Sequence, residues 1–235
     1  MSHIHKPHSG SLQAGFTIVE LLIATLVFSL ILLVITYGVL HFTNSYYKGL
    51  NTSMTQNAAQ SAIDTIVQAV EFSESGTTVS DNTHFCAGTK MFVYDAGKAF
   101  AGGTPAAGNR GLYMMDANSS CTDPGGATGG TELLGKNMRV ADIKVSKSNA
   151  ADISDPNIPW QISLRIAYGD SDLLCSAHLN SSPGGCNAGD ASMASSAAFA
   201  ADDMRCKSTV GAQFCSVATL TAVAQQRIIL NSTGP

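Results

Sequence analysis

The stretch that decides the fold runs from Gly15 to Leu40 and reads GFTIVELLIATLVFSLILLVITYGVL. Its last twenty residues, from Leu21 onward, contain no charge and no proline. At about 1.5 Å per residue, a helix of that length crosses the roughly 30 Å hydrocarbon layer of a membrane. A core helix of a soluble protein would be shorter and would carry a polar stripe. The stretch therefore predicts one membrane-spanning helix.

The residues around this stretch do not follow the order of a secretory signal peptide. Such a signal places a cleavage site with small residues after its apolar part. Here the small residues Ala14 and Gly15 come before the apolar run, and His41-Phe42-Thr43-Asn44 follows it. A cut after Gly15 would keep the hydrophobic helix on the mature protein.

A single carboxylate, Glu20, lies immediately before the uncharged run. An unpaired acid at the bilayer centre costs on the order of 3 kcal/mol, and less near the surface, so such a residue is a candidate functional site. The same residue completes the pattern Thr17-Ile18-Val19-Glu20, which fits a capping box at a helix start. The spacing alone leaves both interpretations open.

The segment GFTIVELLIA, from Gly15 to Ala24, together with the apolar helix behind it, resembles the class III signal of type IV pilins and type II secretion pseudopilins. In that family a membrane-bound prepilin peptidase cuts after the glycine and N-methylates the new first residue. The resemblance implies that cleavage follows Gly15 and that Phe16 is methylated. It also implies an assembly role for Glu20, whose carboxylate would face the N-terminal amine of a neighbouring subunit.

Two features depart from the family's pattern. Many pilins have a helix-kinking proline near the middle of the span, where this chain has Tyr37-Gly38. The leader has one certain positive charge, Lys6, so the positive-inside signal is faint.

Beyond Leu40 the helical pattern continues as an amphipathic stripe. Its apolar positions are Ala59, Ile63, Ile66, Val67 and Val70. We predict one helix from about Thr17 to Phe72, interrupted or softened near Gly38 and Gly49. A helix of that length measures about 80 Å, too long for one membrane span, so its second half must pack outside the lipid.

The remaining chain predicts antiparallel strands. The clearest is Trp160 to Tyr168, where apolar and polar residues alternate. Weaker candidates are Lys90 to Tyr94, Gly111 to Met115, Arg139 to Val145, Phe214 to Val223 and Ile228 to Leu230. A change of phase after Val140 predicts a bulge near Asp142. Gly-, Ala- and Ser-rich segments predict long loops at Ala101 to Gly111, Thr122 to Gly130 and Ser181 to Ala201.

The expected fold class is α+β. The resemblance makes it pilin-like, with a long N-terminal helix packed on an antiparallel β-sheet head. We expect the chain to divide into four segments. They are a leader peptide (1–15), a transmembrane and filament-core helix (16–40), the amphipathic half of the helix (41–75) and an extracytoplasmic β-rich head (76–235).

All six cysteines follow the membrane helix: Cys86, Cys121, Cys175, Cys186, Cys206 and Cys215. An even number confined to the exported part favours disulfides formed in an oxidising compartment. Short loops between strands favour pairing Cys206 with Cys215 and Cys175 with Cys186. The sequence has no C-x-x-C pair, which disfavours a zinc site. Many pilins close a C-terminal loop with a disulfide, and this resemblance adds weight to the pair Cys206 and Cys215.

The composition and motifs argue against several functions. Charged residues make up 13% of the chain and hydrophobic residues 45%, which excludes highly charged disorder. The net charge of -4 gives no general attraction for nucleic acid. The sequence has no complete phosphate loop, serine-hydrolase elbow or zinc-protease motif. We expect no enzymatic activity and no cofactor or metal.

One local group of basic residues consists of Lys136, Arg139, Lys144 and Lys147. These residues could contact DNA phosphates if a filament served DNA uptake. The favoured interpretation is a solvent-facing edge strand carrying lysines that prevent pairing with other chains.

The resemblance implies a minor pilin, most like the larger PilW-type subunits, which initiates or caps a type IV pilus. Its partners would be prepilin peptidase, other pilin subunits, the pilus assembly platform and, before assembly, the cell membrane. The expected location is the inner membrane with an extracytoplasmic head, and the cell surface after assembly. The mature length of 220 residues, 235 less the 15 of the leader, suits a low-copy subunit. The alternatives are a type II secretion pseudopilin and a membrane-anchored binding module.

Overall fold

The structure is a computed structural model that describes residues 15–73, 77–81, 83–100, 108, 110–118, 120–123, 125, 129–147, 158–176, 186–187, 190–193, 201–208 and 211–227. The leader up to residue 14, the candidate strand Ile228 to Leu230 and most of the three long loops lie outside these residues. The chain divides into two compact units, Met1–Asn44 and Ser45–Pro235.

The helix α1 (Ile18–Glu71) is 54 residues long, and both of its ends lie within one residue of the predicted boundaries. It is continuous through Gly38 and Gly49, so the predicted interruption is wrong. A glycine costs a helix only about 1 kcal/mol relative to alanine, and α1 contains no proline to remove a hydrogen bond. Two isolated glycines are therefore too weak a signal to break a long helix.

The described part of the first unit is almost entirely solvent-exposed. Every residue from 15 to 44 is exposed except Thr43, which is partly buried. The exposed large apolar side chains of this part range from Leu32 at 46% to Phe16 at 86% exposure. This confirms that the chain has a helix long and apolar enough to cross a membrane.

The described residues of the second unit form ten strands. They are β1 (Thr77–Asp81), β2 (His84–Ala87), β3 (Lys90–Val93), β4 (Tyr113–Asp116), β5 (Thr131–Glu132), β6 (Met138–Lys147), β7 (Trp160–Tyr168), β8 (Leu174–Ser176), β9 (Met204–Cys206) and β10 (Ser216–Ala224). Two 3₁₀ turns, Ala201–Asp203 and Ala212–Phe214, lie among the last of them.

These strands build three antiparallel sheets instead of one. The first is a five-stranded meander in the order β1-β2-β3-β4-β5, the second is three-stranded in the order β10-β7-β6, and the third pairs β8 with β9. The α+β class is thus confirmed in its general form: one long N-terminal helix and antiparallel sheets.

The main core of the second unit lies between α1 and two of the sheets. The predicted helix stripe is confirmed, because Ala59, Ile63, Ile66 and Val70 are buried and Val67 is partly buried. The same core contains the inward side chains of β7, which are Trp160, Ile162, Leu164 and Ile166, and Phe85, Phe92 and Leu112 of the first sheet or next to it. Each large apolar side chain buried there contributes about 1.5–3 kcal/mol to folding.

The strand β7 matches its predicted bounds because it is the central strand of its sheet and alternates cleanly. The bulge is also confirmed, since the pairing of β6 with β7 shifts register between Val140 and Asp142. The extra residue, Ala141, lets Val140 and Ile143 both face the core.

Five strands were not predicted from the sequence: β1, β2, β5, β8 and β9. All four residues of β2 are buried, so this strand carries no alternation. The strands β5, β8 and β9 contain only two or three residues, too few to establish a period.

Two predicted strands begin later than expected. In the segment Gly111 to Met115, the backbone N–H groups of Gly111 and Leu112 donate to the Glu132 carboxylate, so strand pairing starts at Tyr113. In the segment Phe214 to Val223, Phe214 belongs to a 3₁₀ turn and the strand starts at Ser216.

The prediction of a solvent-facing edge strand that carries basic residues is only partly correct. The strand β6 is an edge strand of its sheet, and Lys144 is exposed beside Asp142 at 3.1 Å. Arg139, however, is only 5% exposed, and its Nη2 donates to the Gly169 carbonyl at 2.5 Å. The reason is that the outer sheet face is covered at this end by a second small core around Ala141. Arg139 is therefore unavailable to DNA phosphates.

Candidate functional site

The residues just before α1 and in its first turn include the three to which the family resemblance assigns roles: Gly15, Phe16 and Glu20. Gly15, Phe16 and Thr17 precede the helix in non-helical conformation, and Phe16 is 86% exposed. Glu20 lies in the first helical turn. The structure thus places the expected cleavage point immediately before the helix, where a peptidase would meet non-helical backbone.

Thr17 and Glu20 form a reciprocal capping box. The Thr17 backbone N–H donates to Glu20 Oε2 at 2.9 Å, and the Thr17 hydroxyl donates to the same oxygen at 3.0 Å. In return, the Glu20 backbone N–H donates to Thr17 Oγ1 at 3.2 Å. Two backbone donors that have no partner within the helix are satisfied in this way.

This geometry confirms that Glu20 caps the helix. Its role in filament assembly stays a prediction. A carboxylate in the first turn also interacts favourably with the positive end of the helix dipole. Both contacts of the carboxylate are to Thr17, which is itself exposed. A neighbouring chain can therefore reach the Glu20 side chain.

The six cysteines form three disulfides: Cys86–Cys121, Cys175–Cys186 and Cys206–Cys215. The last two are the pairs that short loops favoured. The first joins β2 to the segment that follows β4, across 35 residues of sequence. Because the sequence separation is long, no loop argument could single out this pair.

The loop closed by Cys206–Cys215 is attached to α1. The Asn51 side-chain amide donates to the Gln213 carbonyl at 2.8 Å, and the rings of Tyr47 and Phe214 are 5.7 Å apart. Asn51 was not predicted as a structural residue. A signal for it exists, since Asn51 and the buried Thr55 precede Ala59 at four-residue spacing and extend the buried stripe toward the N-terminus.

A buried arginine connects three loop segments of the head. Arg110 is 3% exposed and donates to both oxygens of Asp123, at 2.8 and 2.7 Å. Asp95 accepts from the Arg110 Nε at 3.3 Å and from the backbone N–H groups of Gly108 and Arg110. The bond to Arg110 lowers the pKa of the Asp123 carboxyl, and the two carboxylates raise the pKa of Arg110.

A third carboxylate, Glu132, fixes the backbone beside this arginine. It accepts from the N–H groups of Gly111, Leu112 and Leu134. Burial raises the pKa of Glu132 above its usual value, although these bonds act in the opposite direction. Every contact of Arg110 and Glu132 described here fixes loop backbone or balances charge, so we interpret both as structural.

Within the described residues, no group of three or more His, Cys, Asp or Glu side chains is arranged to hold a metal ion. No family model, curated protein or solved structure matches the chain. The resemblance to pilins therefore depends on the sequence from Gly15 to Ala24 and on the apolar helix that follows it.

Proposed function

We propose that this protein is a minor pilin, a subunit that prepilin peptidase processes and that joins, initiates or caps a type IV pilus. The observation that carries the proposal is the exposed apolar half of α1. A helix with side chains such as Phe28, Leu30 and Leu33 at 58–66% exposure is not stable in water as it stands. It needs lipid or other apolar helices around it, and a pilin uses both in turn.

The start of the helix supplies the chemistry of assembly. Cleavage after Gly15 would expose an α-amine on Phe16, four residues before Glu20. In a filament, the amine of one subunit would face the Glu20 carboxylate of its neighbour. Charges in a low-dielectric helix bundle attract strongly, and leaving either unpaired is costly, so subunit addition would satisfy both.

The head supports an extracytoplasmic location. Six cysteines joined in three disulfides are typical of a domain folded in an oxidising compartment. A type II secretion pseudopilin would share these properties. The identity of the filament from which the chain is purified separates the two, and recovery from type IV pili supports the minor pilin.

Changing Gly15 to leucine should abolish processing. The side chain would obstruct the peptidase at the cleaved bond, so the chain should retain its leader in the native host. The measurement is the mass of the membrane-bound chain, with Gly10→Leu as a control that makes the same change elsewhere in the leader. The control should be cleaved normally. A Gly15→Leu chain that still loses residues 1–15 would reject the cleavage assignment.

A further inference from the structure

A groove of about 610 Å³ opens in the second unit beside α1, β7, β9 and the loop closed by Cys206–Cys215. We call it the basic groove, because four of the residues that line it are Lys48, Arg165, Arg205 and Lys207. Thr52, Ser208 and Thr219 line it as well. The four cations come from three separate parts of the sequence, since Arg205 and Lys207 are two residues apart, and the fold of the second unit brings these parts together.

The charge of the basic groove opposes that of the whole chain. The chain has a net charge of -4, yet four of its 13 lysines and arginines line this one groove. None of the described residues that line it carries a carboxylate. A concave surface lined by one sign of charge concentrates ions of the opposite sign.

Two of the groove's cations donate to backbone carbonyls, which carry no net charge. Lys207 is only 8% exposed, and its ammonium donates to the Asp190 carbonyl, which does not neutralise it. Arg165 donates from Nη2 to the Met204 carbonyl at 2.9 Å. Two carboxylates lie nearby: Asp142 is opposite Arg165 in the β6–β7 register, and Asp203 is 3.5 Å from the half-exposed Arg205. These two acids offset part of the groove's positive charge.

The position of Lys48, close in sequence to the membrane-spanning stretch, narrows the kinds of ligand that the basic groove can bind. Lys48 follows Leu40, the end of the uncharged run, by eight residues, about 12 Å of helix. Aromatic side chains lie beside it, since Tyr46, Tyr47 and Phe214 are 44–56% exposed. Tyrosine near the end of a span is typical of the membrane–water interface, and basic residues there attract anionic lipid.

We propose that the basic groove binds the headgroup of an anionic phospholipid at the membrane surface next to α1. The ligand chemistry is a phosphodiester, which guanidinium and ammonium groups bind through charge-assisted hydrogen bonds. The inference depends on the membrane residence that is part of the proposed function. Its consequence is that anionic lipid stays bound to the subunit until the subunit leaves the membrane for a filament.

The test uses the full chain in a neutral detergent and counts bound lipids by native mass spectrometry. The added probes are phosphatidylglycerol, phosphatidylcholine, free glycerol phosphate and an acidic peptide. The double variant Lys48→Gln with Arg205→Gln should bind phosphatidylglycerol about thirtyfold more weakly, from roughly fivefold per cation. The matched control, Lys98→Gln with Lys136→Gln, removes two exposed charges outside the groove and should bind like the wild type.

Three results would overturn the proposal. One is equal loss of phosphatidylglycerol binding in both double variants, and another is glycerol phosphate binding as tightly as the lipid, which indicates a site for soluble phosphate. The third is tighter binding of an acidic peptide than of phosphatidylglycerol, which indicates a protein partner. Each of these leaves the proposed pilin function intact. A full chain that fails to float with vesicles would overturn the lipid site and the membrane residence together.

Discussion

Replacing Glu20 by alanine should leave the chain in the membrane and reduce its incorporation into filaments at least about tenfold. The attraction between two charges about 4 Å apart is about 4 kcal/mol at an effective dielectric constant of 20, and 1.4 kcal/mol already corresponds to a factor of ten. Removing the carboxylate would leave the neighbour's amine unpaired among apolar helices. The measurement is the ratio of this chain in sheared filaments to the chain in membranes.

The capping box provides variants that separate the two roles of Glu20. Glutamine at this position can still accept from the Thr17 N–H, since capping boxes use Glu or Gln, but it carries no charge. Glu20→Gln should therefore fail in incorporation as Glu20→Ala does. Thr17→Val removes the hydroxyl contacts at 3.0 and 3.2 Å and keeps the charge, so it should be incorporated. Incorporation of Glu20→Gln at the wild-type level would reject the charge pair and leave capping as the only role.

Replacing Arg110 by methionine should lower the free energy of unfolding of the head by about 3 kcal/mol at pH 7, because it removes a buried cation and leaves its partners uncompensated. Those partners are Asp95 and Asp123, at 18% and 23% side-chain exposure. Trp160 is the chain's single tryptophan and is 6% exposed in the core, so its fluorescence reports unfolding of the head in urea.

The effect of this substitution should depend on pH in a defined direction. In the wild type, Arg110 lowers the pKa of Asp123, so the stabilisation is present above the unfolded pKa and is lost as pH falls through the folded pKa. Without the arginine, Asp123 loses the contact that lowers its pKa, so this pH-dependent stabilisation is absent from the variant. The difference between wild type and variant should therefore be largest near pH 7 and should shrink below about pH 4.

The matched control for this prediction is Lys90→Met. Lys90 pairs with Asp116 at 2.7 Å, but both side chains are exposed, at 44% and 81%. An exposed pair contributes less than about 1 kcal/mol, so this variant should unfold close to the wild type at both pH values. Equal destabilisation by Arg110→Met and Lys90→Met would contradict the structural role of the buried arginine.

The elements that the sequence predicted well are those with a long, regular pattern. The helix extends over many turns, and its stripe from Ala59 to Val70 repeats often enough to define one face. The strand β7 alternates over nine residues and lies at the centre of its sheet. In both elements the periodic apolar positions form one face, and that face is buried in the core. The local sequence pattern therefore agrees with the tertiary packing.

The features that escaped prediction depend on contacts between distant residues. The pair Cys86–Cys121 spans 35 residues, and β8 and β9 are three residues each. Arg139 has the sequence signature of a surface cation, and only the small core around Ala141 explains its burial. The four cations of the basic groove share no sequence motif, because the fold alone brings positions 48 and 165 to the neighbouring positions 205 and 207.

The same distinction between local and long-range contacts applies to the candidate site. The Thr17 and Glu20 hydrogen bonds are local, at a separation of three residues, and the sequence spacing predicted them. The proposed partner of Glu20 belongs to another chain, so neither the sequence nor the structure of a single chain can supply it. Only the resemblance names that partner, which is why its test must use assembled filaments.

The measurement that tests the central claim most directly is the mass of the N-terminal peptide of the chain purified from its native membrane or filaments. We predict a peptide that begins at Phe16 and carries one methyl group, about 14 Da above the unmodified mass, with Leu21 to Leu40 still attached to the chain. A mature chain that begins at Met1, or one that begins after the apolar run, would contradict the account.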